Sequence, residues 1–126
     1  PNIAGLLLGI RFVRAHLAEI REYEDALNRR LREGLEQIPG IRCLGHPDAP
    51  RVGITSFVPR RMDGGALSDS LDQAGFALRG GLHCAPAMHT WLGTLRSGAL
   101  RASVGIYNTE EEVDALVALV ERFVQE

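Results

Sequence analysis

Residues 100–124 read LRASVGIYNTEEEVDALVALVERFV, and this stretch decides the fold. Its first five residues alternate, with Leu100, Ala102 and Val104 on one side and Arg101 and Ser103 on the other. Successive strand side chains point to opposite faces, so the pattern predicts a half-covered strand with an arginine on its open side. At Asn108-Thr109-Glu110-Glu111-Glu112 the period changes. Thr109 and Glu112 have capping-box spacing, and Val113, Leu116, Val117, Val120, Phe123 and Val124 then recur every three or four residues. A strand that runs into a capped amphipathic helix implies a sheet with that helix laid against it.

Residues 76–79 read as another strand, separated from 100–104 by about twenty residues containing Gly, His and Pro. Connections of that length exceed what structure alone needs, and such loops tend to carry function. Further upstream Asp63 stands at an N-cap position, Leu67 and Leu71 share one face, and Gly75 supplies a stop, which predicts a short helix. Residues 41–44 and 51–58 read as strands joined through Gly45-His46-Pro47-Asp48-Ala49-Pro50, a hairpin with an irregular loop. Before them lies a long helix striped by Ile20, Tyr23, Leu27, Leu31, Leu35 and Ile38 and ended by Pro39-Gly40. Asp25 with Arg29, and Arg29 with Glu33, are spaced for ion pairs on its solvated face.

The chain opens with a first helix carrying Ile3, Leu6, Leu7, Ile10 and Val13, with Pro1 at or just before its first turn and His16 at the junction with the second. Helices at both ends, strands between and no regular strand-helix-strand alternation give an α+β fold: a small, mostly antiparallel sheet covered by helices on one face. Leu6, Leu7, Leu8, Ile10, Phe12 and Val13 make the first helix apolar on more than one side. Such a helix either leaves an exposed patch that favours association or lies buried at the centre of the domain.

A length of 126 residues fits one domain, and 45% hydrophobic with 24% charged residues provides a core without disorder. The formal charge of −2 gives no reason to expect nucleic acid or an acidic membrane as partner. All 14 basic residues are arginine, which excludes mechanisms in which this chain supplies a Schiff-base or P-loop lysine. Two cysteines, Cys43 and Cys84, are too few for a disulfide framework and lack metal-ligand spacing, which points to reduced thiols and a cytoplasmic location. No run reaches the roughly 18–20 apolar residues of a membrane span. The start at Pro1 rather than Met leads to the expectation of a missing upstream part.

The sharpest constellation is Arg79-Gly80-Gly81-Leu82-His83-Cys84-Ala85-Pro86 in the long loop. Nearby cations favour the nucleophilic thiolate, so Arg79 and His83 suit a reactive Cys84; a buried Cys84 acting as a small hydrophobe fits the spacing as well. Cys43, between Arg42 and Leu44 in a strand, reads as packing. His83, Cys84 and His89 are zinc-ligand types, but three candidates without paired spacing make a poor zinc site. His16 and His46 read as surface residues, and Trp91 as a packing aromatic rather than part of a lid. Arg101 offers a rigid fork of donors for a carboxylate or phosphate, and equally for an ordinary ion pair.

His83-Cys84-Ala85-Pro86, His89, Leu92-Gly93-Thr94, Gly98, Arg101-Ala102-Ser103 and Tyr107-Asn108-Thr109-Glu110-Glu111 resemble the C-terminal end of the cysteine desulfurase and selenocysteine lyase branch of class V aminotransferases. Pro1-Asn2-Ile3-Ala4-Gly5 is similar to the segment that begins the C-terminal half of those enzymes. The resemblance implies a pyridoxal-phosphate enzyme of fold type I, a homodimer whose cofactor-binding lysine sits in a large N-terminal domain that this chain lacks. Residues 1–126 would then be the single small C-terminal domain, inactive alone.

By position, Cys84 matches the family's thiol that takes sulfur from cysteine, leaving alanine and an enzyme persulfide, on a loop that acts as a mobile lid. Arg101 matches the arginine that grips the substrate carboxylate, and Arg79 an arginine beside the active site. His83 carries no proton-transfer role in this reading. The implied partners are the large domain, a second subunit, cysteine as substrate and a sulfur-acceptor protein. Selenocysteine cleavage, amino-group transfer, and a stand-alone thiol or sulfur-carrier module are the competing expectations.

Overall fold

The computed structural model describes residues 2–46 and 49–125, so Pro1 and the Pro47-Asp48 part of the hairpin loop lie outside the described residues. The order is α1 (Asn2–Gln37), β1 (Ile41–Cys43), β2 (Ile54–Pro59), α2 (Gly64–Gln73), β3 (Arg79–Gly81), α3 (Pro86–Leu92), β4 (Ala99–Ser103) and α4 (Glu110–Gln125). The strands form one sheet in the order β1-β2-β4-β3, and every neighbouring pair is antiparallel. The α+β expectation therefore holds. The later part of α1, with α2 and α4, packs on one face of the sheet.

The core is assembled from the predicted stripes. Leu27, Leu31 and Leu35 of α1, Phe57 of β2, Leu67 and Leu71 of α2, Leu100 of β4 and Val120 of α4 are almost wholly removed from water. One polar pair joins them, with the Thr55 hydroxyl donating to Asn28 Oδ1 at 2.6 Å, so neither buried group is left unmatched. Asp63 caps α2 by accepting from the amides of Gly65 and Ala66. At α4 the Glu112 amide donates to Thr109 Oγ1 at 3.3 Å, and the Thr109 amide donates to Glu112 Oε2 at 3.2 Å, which is the predicted capping box.

Several boundaries differ from expectation. The two N-terminal helices run as one 36-residue element interrupted at His16, whose φ of −117° and ψ of 15° leave the helical region. The strand expected at 51–58 begins at Ile54, and that expected at 76–79 begins only at Arg79. Phe76 and Leu78 instead pack against the core after the turn that closes α2, and this draws 76–78 out of the ladder. The ion pairs also fall elsewhere: Arg29 pairs with neither Asp25 nor Glu33 among the described residues, whereas Arg32 meets Glu36 and Arg30 meets Asp114 and Glu110. Arg30 reaches across to α4, where it meets Glu110 at 2.9 Å and Asp114 at 2.7 Å.

The first half of α1 projects away from the sheet. Residues 2–19 are all exposed, including Ile3 at 85% and Leu8 at 64%. The central-helix alternative is thereby overturned and the exposed apolar patch stands. Among the described residues no helix is long and apolar enough to cross a membrane.

Candidate active site

The open face of the sheet carries the site. β3 and β4 pair with Arg79 directly opposite Arg101, and β2 places Ser56 opposite Arg101 on its other side. Directly paired residues share a face with Cβ atoms about 5 Å apart, so Ser56, Arg101 and Arg79 form one row. Both arginines are exposed, and among the described residues neither has a carboxylate within ion-pair distance. The ordinary ion pair considered for Arg101 is absent among the described residues. Two like charges held opposite each other are mutually repulsive, and an anion placed between them removes that penalty.

Tight glycine geometry sets the row. Gly98 has φ +64°, and a Cβ there would lie 2.9 Å from Gly81 Cα, so only glycine lets the start of β4 lie against the end of β3. From β3 the chain turns at once into the thiol loop. His83 and Cys84 have φ of +50° and +58°, a conformation that side-chain-bearing residues rarely adopt. The turn is closed by the Ala85 amide donating to the Leu82 carbonyl at 2.9 Å. Strain of this kind persists only where surrounding structure holds it, and it turns Cys84 outward. Cys84 is exposed, so the reading of it as a packed hydrophobe falls. Cys43 is the packed thiol: burial pushes its pKa up to about 11, against weaker opposition from Arg32.

Both histidines of the loop make contacts that hold it together. His83 Nε2 lies 3.1 Å from the Arg79 carbonyl, an acceptor, so that nitrogen carries the proton and donates. His89 is buried, with Nδ1 2.8 Å from Thr94 Oγ1, and the two rings lie 6.1 Å apart. No group of three metal-ligating side chains gathers among the described residues, so the zinc arrangement of His83, Cys84 and His89 does not form. The long loop also contains α3, which sequence reading missed. Pro86 at its first turn and Gly93 in the left-handed conformation at its end were the available signals. Because α3 turns His89 inward, Trp91 faces out; it is 81% exposed and not the packing residue expected.

What these groups can do is bind an anion and present a thiol. Arg79, Arg101 and Ser56 are donors suited to a carboxylate, and Cys84 stands on the loop that leaves β3. There is no lysine in the chain.

The chain is similar to known proteins over nearly its whole length. The chain is 38% identical over 122 residues to the cysteine desulfurase of Salmonella typhimurium, covering 94% of this chain and 29% of that protein. The apo structure of the cysteine desulfurase from Thermococcus onnurineus NA1 superposes with a TM-score of 0.87 at 30% identity, covering 96% of this chain and 30% of that one. The Escherichia coli cysteine desulfurase CsdA superposes with a TM-score of 0.73 at 30% identity, covering 83% of this chain and 25% of that one. The chain thus spans under a third of the length of these relatives, and it corresponds to their C-terminal region. The family model described as Aminotransferase class-V matches residues 1–116, and the chain belongs to that family.

Proposed function

We propose that the chain is the substrate-gripping and sulfur-accepting part of a cysteine desulfurase-like enzyme whose remaining machinery lies outside these residues. The observation that carries this reading is the Arg79 and Arg101 row, without a carboxylate partner among the described residues, ending in a loop that turns an exposed Cys84 outward. Arg101, with Arg79 beside it, binds the substrate carboxylate, and Cys84 takes the sulfur. In the net change the substrate's carbon–sulfur bond breaks, a sulfur–sulfur bond forms at Cys84 Sγ, and a proton replaces sulfur on carbon. Cysteine becomes alanine and the thiol becomes a persulfide, with no outside oxidant or reductant.

Pyridoxal phosphate, which the family implies, finds no lysine amine here to attach to. The donors present fit a substrate anion, and attachment of the cofactor belongs to residues beyond this chain. The exposed face of α1, with Ile3, Leu6, Leu7 and Leu8, is what such a larger enzyme would cover. A second subunit is part of the same reading. Two unpaired thiols fit a reducing, cytoplasmic setting.

The test is a chimera in which this chain replaces the matching 29% of the Salmonella enzyme. It should bind pyridoxal phosphate and form alanine from cysteine. Arg101→Gln should raise KM, and Cys84→Ser should abolish sulfur transfer. A folded, cofactor-loaded chimera that forms no alanine would sink the proposal. Retention of the full rate by Cys84→Ser would favour selenocysteine cleavage or amino-group transfer instead.

A further inference from the structure

A second charged feature lies beyond the far end of α3. A broad concavity of about 740 Å³ is lined by Arg42 from β1, Arg60 and Arg61 from the β2–α2 connection, and Arg96 from the α3–β4 connection. All four arginines are exposed, and among the described residues none has a carboxylate partner. The one acidic residue in the lining, Asp63, already accepts the Gly65 and Ala66 amides at the start of α2. A chain of formal charge −2 therefore concentrates four of its 14 arginines around one basin.

We propose that this basin docks a carboxylate-rich segment of a partner protein. Its guanidinium groups come from three separate segments and surround a wide, open surface. A small anion would reach few of them, whereas an extended acidic segment meets several at once. A nucleic acid would run on beyond the four-arginine basin over the surface of a chain of net charge −2, whereas a short acidic segment can end within it. α3 ends one residue before Gly93 of the basin lining, and two of its large apolar side chains, Met88 and Trp91, one helical turn apart, are 54% and 81% exposed. Tryptophan and arginine are the residue types that dominate interface energetics.

The basin is also tied to the thiol loop. Arg42 donates to the Leu92 carbonyl at 3.2 Å, which anchors the end of α3 remote from Cys84. Seven residues of helix span about 10 Å, so a segment seated in the basin lies about 10–15 Å from Cys84 along α3. That the docked partner is the acceptor of sulfur from Cys84 rests on the function proposed above; the docking itself does not.

Trp91 is the only tryptophan in the chain, so its emission reports occupancy without a label on the protein. The experiment titrates the chain with a fluorescein-labelled deca-glutamate peptide by anisotropy, and with the unlabelled peptide by Trp91 emission. A deca-glutamine peptide and a deca-thymidylate oligonucleotide serve as comparisons. Deca-glutamate should bind at least tenfold more tightly than either and should shift Trp91 emission. The double variant Arg60→Glu/Arg61→Glu should weaken it at least tenfold, while Arg11→Glu/Arg14→Glu on α1 leaves it within twofold. Should the charge-reversed protein fail to fold by circular dichroism, the milder Arg60→Gln and Arg96→Gln should each weaken binding about threefold. Equal binding of the two peptides, equal binding of the oligonucleotide, an unmoved Trp91 emission, or insensitivity to these substitutions would each overturn the proposal. Because the readout is peptide binding, its outcome is independent of whether Cys84 accepts sulfur.

Discussion

Replacing Arg101 with glutamine should make the chain more stable, although the arginine is the residue assigned to substrate. Arg101 faces Arg79 across the β3–β4 ladder, and among the described residues no carboxylate pairs with either. For two unit charges about 8 Å apart in water, the reach of a directly opposed arginine pair, the Coulomb repulsion is about 0.5 kcal/mol. That lies within the 0.2–1 kcal/mol or so typical of cross-strand pairs. For a domain of this size it corresponds to a rise in Tm of roughly 2 °C. The gain should be present at 0.01 M salt, where the Debye length is about 30 Å, and vanish at 1 M, where it is about 3 Å. Thermal unfolding followed by circular dichroism at the two salt concentrations measures it. Arg79→Gln should stabilise by the same amount, and the double variant should gain no more than either alone, because one repulsion is removed once. Arg11→Gln, an exposed arginine on α1, controls for net charge. A destabilised Arg101→Gln, or a gain equal at both salts, would refute the reasoning.

Asp63→Ala removes the acceptor for two α2 amides and should cost about 1 kcal/mol, read as a lower urea midpoint at unchanged slope. Leu31→Ala, at a position with 0% exposure, should cost about 2–5 kcal/mol and lower Tm far more than any surface change. Iodoacetamide at pH 8 should modify Cys84 well before Cys43, whose raised pKa of about 11 leaves about one part in a thousand ionised. Intact-mass spectra showing equal rates at both thiols would contradict the assigned exposures. Asp114 and Glu111 have lowered folded-state pKa values, held down chiefly by the Arg30 hydrogen bond and by Glu111's own backbone amide respectively. Their contribution is complete above their unfolded values of 3.8 and 4.5 and is lost as pH falls through the lower folded ones. Urea midpoints should therefore decline below about pH 4.5, and Arg30→Gln should blunt the Asp114 part of that decline.

Local, periodic features were legible without coordinates. The Thr109–Glu112 capping box, the Asp63 cap, the leucine stripe of α1 and the outward side of Arg101 all depend on neighbours within a few residues. Their chemistry is therefore written in consecutive positions. The boundaries that moved did so where packing competed with pattern: Phe76 and Leu78 left the ladder for the core. The short helix α3 went unread because a seven-residue element shows little periodicity, and only its flanking Pro86 and Gly93 mark it.

For the candidate site, sequence alone named Cys84, Arg101 and Arg79 and, through the missing lysine, excluded a Schiff base made by this chain. Only the tertiary structure decided that Arg79 and Arg101 stand opposite each other, that Cys84 is the exposed thiol and Cys43 the buried one, and that four arginines share one basin. The physical reason is register. Arg79 and Arg101 lie 22 positions apart, and what pairs them is a strand alignment set by the long-range burial of Leu100 and Ala102 and by the contact of Gly98 with Gly81.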